Sequence, residues 1–213
     1  MKLRPQFRIA AAAIAFAASA LAASPAFAQV AVYNFDATDV GAFGAPNYGS
    51  VTLTQNGGDV DFNVMLRGDL NFVTTGGPHD LFAFNATGVS IGEIVNLSVL
   101  GGGTLQAVVP GADQPFGSFS FGINCTSCGN GGPGQQQDPM TFKVLNATLS
   151  DFALLSTGGS PNAYFAADLI QTASGATGAV GAITAAVPEP ETYALMIAGL
   201  GMMGFIAKRR RPS

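Results

Sequence analysis

The run Val60, Phe62, Val64 and Leu66, alternating with Asp61, Asn63 and Met65, constrains this chain more than any other feature. A period of two gathers four large apolar side chains on one face of an extended strand, whereas a helix would scatter them around its circumference. Just upstream, Val51, Leu53 and Gln55 alternate with Thr52 and Thr54, and Asn56-Gly57-Gly58 between the two runs is a hairpin turn signal. Further strands are expected at 30–35, 81–84, 94–100, 105–109, 116–121, 141–145, 152–155, 163–169 and 179–185. Gly, Pro, Asn and Asp punctuate them at intervals of about 8–12 residues, the spacing of a sandwich or barrel. No amphipathic helical pattern of useful length lies between them. The expected fold is all-β: a single antiparallel β-sandwich, jelly-roll-like and without internal repeat, over residues 29–187. With 16 Phe and no Trp, its core is expected to be Phe, Leu and Val on two inner faces. Residues 174–181 are small and polar, and are expected to form a loosely ordered hairpin or the start of a linker.

Two segments stand outside that pattern. Lys2, Arg4 and Arg8 precede an uncharged run from Ile9 to Ala23, and Ala26-Phe27-Ala28 supplies the small-x-small pattern read by signal peptidase. Residues 1–28 are therefore expected to be a signal peptide whose cleavage leaves Gln29 first. At the other end stand Val187-Pro188-Glu189-Pro190, an apolar run over 192–207 and the cluster Lys208-Arg209-Arg210-Arg211. Pro190 suits a first helical turn, where its missing N–H goes unused, and Glu189 and Glu191 favour the positive end of the helix dipole. Such a helix would span roughly 24 Å, short of the ~30 Å of hydrocarbon. Snorkelling cations or local thinning can cover the shortfall. Four cations directly after the run hold that end in the cytoplasm, which places residues 29–187 outside.

Pro188-Glu189-Pro190, followed by the Gly-bearing stretch Tyr193-Ala194-Leu195-Met196-Ile197-Ala198-Gly199-Leu200-Gly201 and a terminal Arg run, resembles the PEP-CTERM sorting signal of Gram-negative bacteria. The resemblance implies recognition by an exosortase, a membrane cysteine protease. Pro188, Glu189 and Pro190 would be the recognition element, and Lys208, Arg209, Arg210 and Arg211 the stop-transfer cluster. It also implies transient residence in the inner membrane, then delivery to the cell surface or an exopolysaccharide matrix. Within the domain, Tyr48-Gly49-Ser50-Val51-Thr52-Leu53 and the segment from Asn71 to His79 are similar to domains of other PEP-CTERM proteins that have no assigned activity. That likeness points to a structural or binding module.

Charge narrows the partners. Of nine Lys and Arg, only Arg67 and Lys143 lie in 29–187, against eleven acids, so the formal charge of that segment is two minus eleven, or −9. Such a surface repels phosphate backbones, and no nucleic-acid partner is expected. Cys125 and Cys128, spaced as Cys-x-x-Cys in a Gly- and Gln-rich loop outside the cytoplasm, are expected to form a disulfide. A redox site would want a βαβ setting, and zinc would want more ligands than the sole histidine, His79, provides. His79 beside Asp80 invites a catalytic reading with Ser90 as nucleophile. Sequence neighbours usually point apart, however, and no Gly-x-Ser-x-Gly is present, so a structural histidine in a turn is the expectation. Asp59 and Asp61 share a strand face with Asp69 close behind. They are weak candidates for calcium, with Asp36 or Asp39, or for the paired carboxylates of a hydrolase. No dedicated metal site or cofactor is expected. Without a catalytic constellation, the expected function is a non-enzymatic surface or matrix protein with a structural, adhesive or weak glycan-binding role. The alternative is an extracytoplasmic carbohydrate-active hydrolase.

Overall fold

The computed structural model describes residues 29–188, Met196 and residues 199–203. The first strands are β1 (Val30–Phe35), β2 (Ala37–Thr38), β3 (Gly49–Asn56), β4 (Asp59–Leu66) and β5 (Leu70–Phe72). Next come β6 (Phe82–Phe84), β7 (Ile94–Leu100), β8 (Leu105–Val108), β9 (Gly111–Asp113) and β10 (Gly117–Phe119). The last are β11 (Phe121–Cys125), β12 (Gln137–Val144), β13 (Phe165–Gln171), β14 (Thr177–Ala182) and β15 (Val187–Pro188). One sheet has the order β15-β1-β3-β4-β12-β7; a second runs β2-β14-β13-β6-β11-β8, with β5 also paired to β13. Every ladder between these strands is antiparallel. The chain crosses between sheets as it passes from β6 to β7 to β8. Late strands then fill gaps left by early ones: β12 lies between β4 and β7, and β11 between β6 and β8. This interleaving is the expected jelly-roll-like winding.

Register converts the period-two pattern into a core. Leu53 and Phe142 both lie opposite Phe62, while Val51 and Met140 flank Val64 in the same way. The two-residue turn Gly57-Gly58, with Gly57 at φ 63°, joins β3 to β4 where the sequence signals a hairpin. Phe62 stacks on Phe142 at 4.3 Å and meets Phe84 and Phe165 of the other sheet at 5.5 and 6.2 Å. The sheets are thus pressed face to face around interlocking rings.

Three expectations need correction. The expected strand at 152–155 is instead a 3-10 turn, Leu149–Phe152, followed by irregular chain. The turn drops Phe152 into the core at 4.9 Å from Phe62 and leaves Leu154 and Leu155 exposed. The expected strand at 116–121 is two strands, because Phe116 and Phe119 face one apolar cluster and Phe121 another. The segment 174–181 is an ordered turn and the start of β14, paired along β13.

The extra cluster lies on the far side of the second sheet. Along β13, Phe165, Ala167 and Leu169 enter the main core, so Ala166 and Asp168 face outward. Outward-facing Ala83, Ala166 and Ala179 receive Phe116 and Phe119 from the β9–β10 hairpin. Small residues permit that approach: a Cβ on Gly181 would come within 2.5 Å of the Phe116 ring, and one on Gly122 would collide with Asp80.

Candidate functional site

The polar end of this covered face carries the chain's only histidine. His79 lies in the loop before β6 and forms an isolated antiparallel bridge to Asp113, the last residue of β9. Its Nδ1 shares a 3.0 Å hydrogen bond with Asp113 Oδ1. Asp113 is 0 % exposed, and its Oδ2 has no hydrogen-bond partner. Burial pushes its carboxyl up to about 8; the His79 hydrogen bond pulls it down, and Asp168 pushes it up again. His79 is itself raised, first by that hydrogen bond and against the opposing effect of burial. The pair therefore keeps a proton near neutrality, whichever partner holds it.

Asp168 projects from β13 beside them and is also 0 % exposed. Its Oδ2 accepts the Thr75 N–H at 3.1 Å and the Thr75 hydroxyl, while Oδ1 is buried and unpartnered. Burial raises its carboxyl, with the Thr75 hydrogen bonds opposing. Asp80 turns the other way, accepting the Ala112 N–H at 2.7 Å and the Asn124 side-chain amide at 2.5 Å. His79 and Asp80 thus point apart as neighbours on extended chain do. His79 bonds to Asp113 and not to Ser90, whose N–H donates to Glu93 Oε2 at 2.7 Å in the turn before β7. Chemically, the cluster can store protons beneath a lid of protein; both carboxyl groups at its centre are closed to a substrate.

The other sequence candidates disperse. Lys143 Nζ lies 3.7 Å from Asp59 and 3.2 Å from Asp61, so an ammonium already supplies the positive charge that calcium would bring. Asp69 is gripped by Arg67 at 2.6 and 3.0 Å. Asp36 accepts the Ile183 N–H and the Thr184 hydroxyl, and so does not join Asp59 and Asp61. Among the described residues no group of three or more His, Cys, Asp or Glu side chains is arranged to hold a metal ion. Cys125 and Cys128 are joined by a disulfide, with Cα atoms 5.5 Å apart, packed against Gly103. The twelve Phe of the described residues are all buried, as are Tyr33 and Tyr48, and Tyr164 is half-buried.

Asp113, Asp168 and Thr75 are not legible in the sequence as members of one cluster. A signal exists for Asp168 alone: a single acid in the apolar run from Phe165 to Ile170 needs a buried partner. Nothing local ties Asp113 to His79, since 34 positions separate them.

At the tail, the backbone of β15 continues the first sheet, with Val187 opposite Val32 and Pro188 opposite Ala31. Gln29, expected to be first after leader cleavage, accepts the Gln55 N–H through its carbonyl at 2.8 Å. Both ends of the module therefore meet at one sheet edge. Of the 192–207 run, Met196 and residues 199–203 are helical. No helix of the described residues is long and apolar enough to cross a membrane. Ala26, Ala28, Glu189, Pro190, Lys208, Arg209, Arg210 and Arg211 lie outside the described residues. Residues 186–211 match the PEP-CTERM protein-sorting motif. The chain carries a PEP-CTERM sorting motif. The match spans β15, the apolar run and the basic cluster in that order, and it supports an exported, exosortase-targeted surface protein, anchored transiently in the membrane before processing. The match covers residues 186–211 and assigns no role to the β module before them. No curated protein and no solved structure matches the chain.

Proposed function

We propose that the β module is a non-enzymatic structural component of the cell surface or exopolysaccharide matrix, delivered by signal peptidase at Ala28–Gln29 and processed by an exosortase at the PEP-CTERM tail. In this reading residues 192–207 are a transient membrane helix, and Lys208 to Arg211 stay on the cytoplasmic side. One observation carries the structural role: every Phe of the described residues is placed inside the protein. Stacking platforms for sugar rings use exposed aromatic faces, so any glycan contact is weak and made by Asn, Thr and backbone groups. The hydrolase alternative would need free paired carboxylates; Asp59 and Asp61 hold Lys143 instead, and Asp113 and Asp168 are buried.

Deleting residues 188–213 tests the delivery half of this reading. The truncated protein should be exported but lost to the medium or periplasm, and fractionation with immunoblotting reads the outcome. Retention at the surface equal to that of the full chain would sink the proposal.

A further inference from the structure

The β9–β10 hairpin is held at an apolar and a polar end, and Ser118 also pairs with Thr157 in the loop before β13. Phe116 and Phe119 bury themselves among Ala83, Ala166 and Ala179. At the polar end, the attachments are the His79–Asp113 hydrogen bond and the backbone bridge beside it, the Ala112 N–H donated to Asp80 Oδ2 at 2.7 Å, and the backbone bonds from Asp80 N–H to Ala112 and from Gln114 N–H to Pro78. Titratable groups face that end from each element packed there: His79 and Asp80 ahead of β6, Asp113 on β9, Asp168 on β13, and Asp39 from the segment after β2. The imidazole thus bonds one carboxyl group, Asp113, with Asp168 and Asp39 also acting on it, while Asp80 is turned toward Ala112 and Asn124. Asp113 Oδ2, Asp168 Oδ1 and Thr74 Oγ1 are buried without partners. Ionised carboxylates with an unpartnered buried oxygen are costly, and a single imidazolium cannot compensate several of them. The packing is therefore compatible with a cluster that retains protons.

We propose that His79, Asp113 and Asp168 form a proton-operated latch, which holds the β9–β10 hairpin on the second sheet while protonated and frees it when deprotonated. Opening hydrates the unpartnered oxygens and exposes Phe116 and Phe119, turning a closed face into an apolar one. The direction follows from linkage. His79, Asp80, Asp113 and Asp168 are all raised in the closed form, so closing takes up protons and is favoured by acid. Closure weakens as pH climbs and is least favoured once Asp113, raised to about 8, has ionised.

Hydrogen exchange by mass spectrometry on the full chain in detergent tests this between pH 6 and 9, with rates corrected for intrinsic base catalysis. Protection of the segment Gly111–Phe119 should fall roughly fivefold from pH 7 to pH 8, the change expected for one linked proton released at about pH 8. Protection in β4 and β12 should hold. The variant D113N keeps the shape but removes the titrating group, and should flatten the fall. Should D113N not fold, H79Q takes its place and should also reduce the slope. Constant protection at 111–119, an equal fall in every strand, or an unchanged slope in the variant would each overturn the latch.

Discussion

Phe62 is in contact with both layers: Phe142 at 4.3 Å within its own sheet, Phe152 at 4.9 Å, and Phe84 and Phe165 across the sandwich. Truncating it leaves a cavity that rigid neighbouring rings cannot close, so Phe62→Ala should cost about 3–5 kcal/mol in urea unfolding. A loss below about 1 kcal/mol would mean that the core repacks freely. Charged residues act in two opposing directions. The Arg67 hydrogen bond lowers Asp69, and the Ser90 N–H lowers Glu93. Their stabilisation is present above the ordinary carboxylate range and is lost as pH falls through their depressed values. Asp113 and His79 are raised, so theirs is present in acid and is lost as pH rises through the raised values. The melting temperature should therefore peak in mild acid, at about pH 4–5, and decline toward pH 9. A maximum above pH 8 would contradict this direction of proton uptake.

Among the elements, the Cys125–Cys128 bridge ends β11 and turns the chain beside the start of β8. There the Thr126 N–H donates to the Thr104 carbonyl at 2.8 Å, and the Thr104 N–H to Ser127 Oγ at 2.8 Å. These bonds hold the turn even without the covalent link, and the loop closed is very short. Replacing both cysteines by serine should cost about 1–2 kcal/mol, less than the ~3 kcal/mol expected for a 15-residue loop. Equal unfolding midpoints for the parent and the double serine variant would show that the hydrogen bonds suffice. β7 illustrates a different local device. Asn96 adopts a left-handed φ of 56° opposite a register shift between Thr141 and Lys143, so an edge strand is bulged where a flat one would invite pairing.

Across the entire fold, the arrangement of the ends carries a consequence for processing. β15 pairs with β1, and the sorting motif begins at its residues, so the motif starts at the same sheet edge as Gln29 and β1. The acidic module, with two cations against eleven acids over 29–187, is therefore followed directly along the chain by the sorting motif. Its surface charge favours solubility outside the membrane over contact with anionic headgroups. The deletion of residues 188–213 bears on this arrangement, because it removes Pro188 and leaves the β1 edge with a shortened partner.

Features governed by local pattern were legible along the chain alone. Alternation and turn chemistry placed β1, β3, β4 and β7, because a period of two and the Gly57-Gly58 turn are properties of adjacent residues. The order of Pro-Glu-Pro, apolar run and cations likewise announced the tail, since that motif is defined by the order of residues along the chain. Packing in three dimensions settled what depends on distant partners. It turned 152–155 from a strand into a core-filling turn, because Phe152 gains more from the Phe62 ring than from a sheet edge. It covered the outer face of the second sheet with a hairpin, and so buried Asp113 and Asp168 beside His79. Burial and ionisation are set by what packs around a group, and residues 34 positions apart along the chain carry no local trace of meeting.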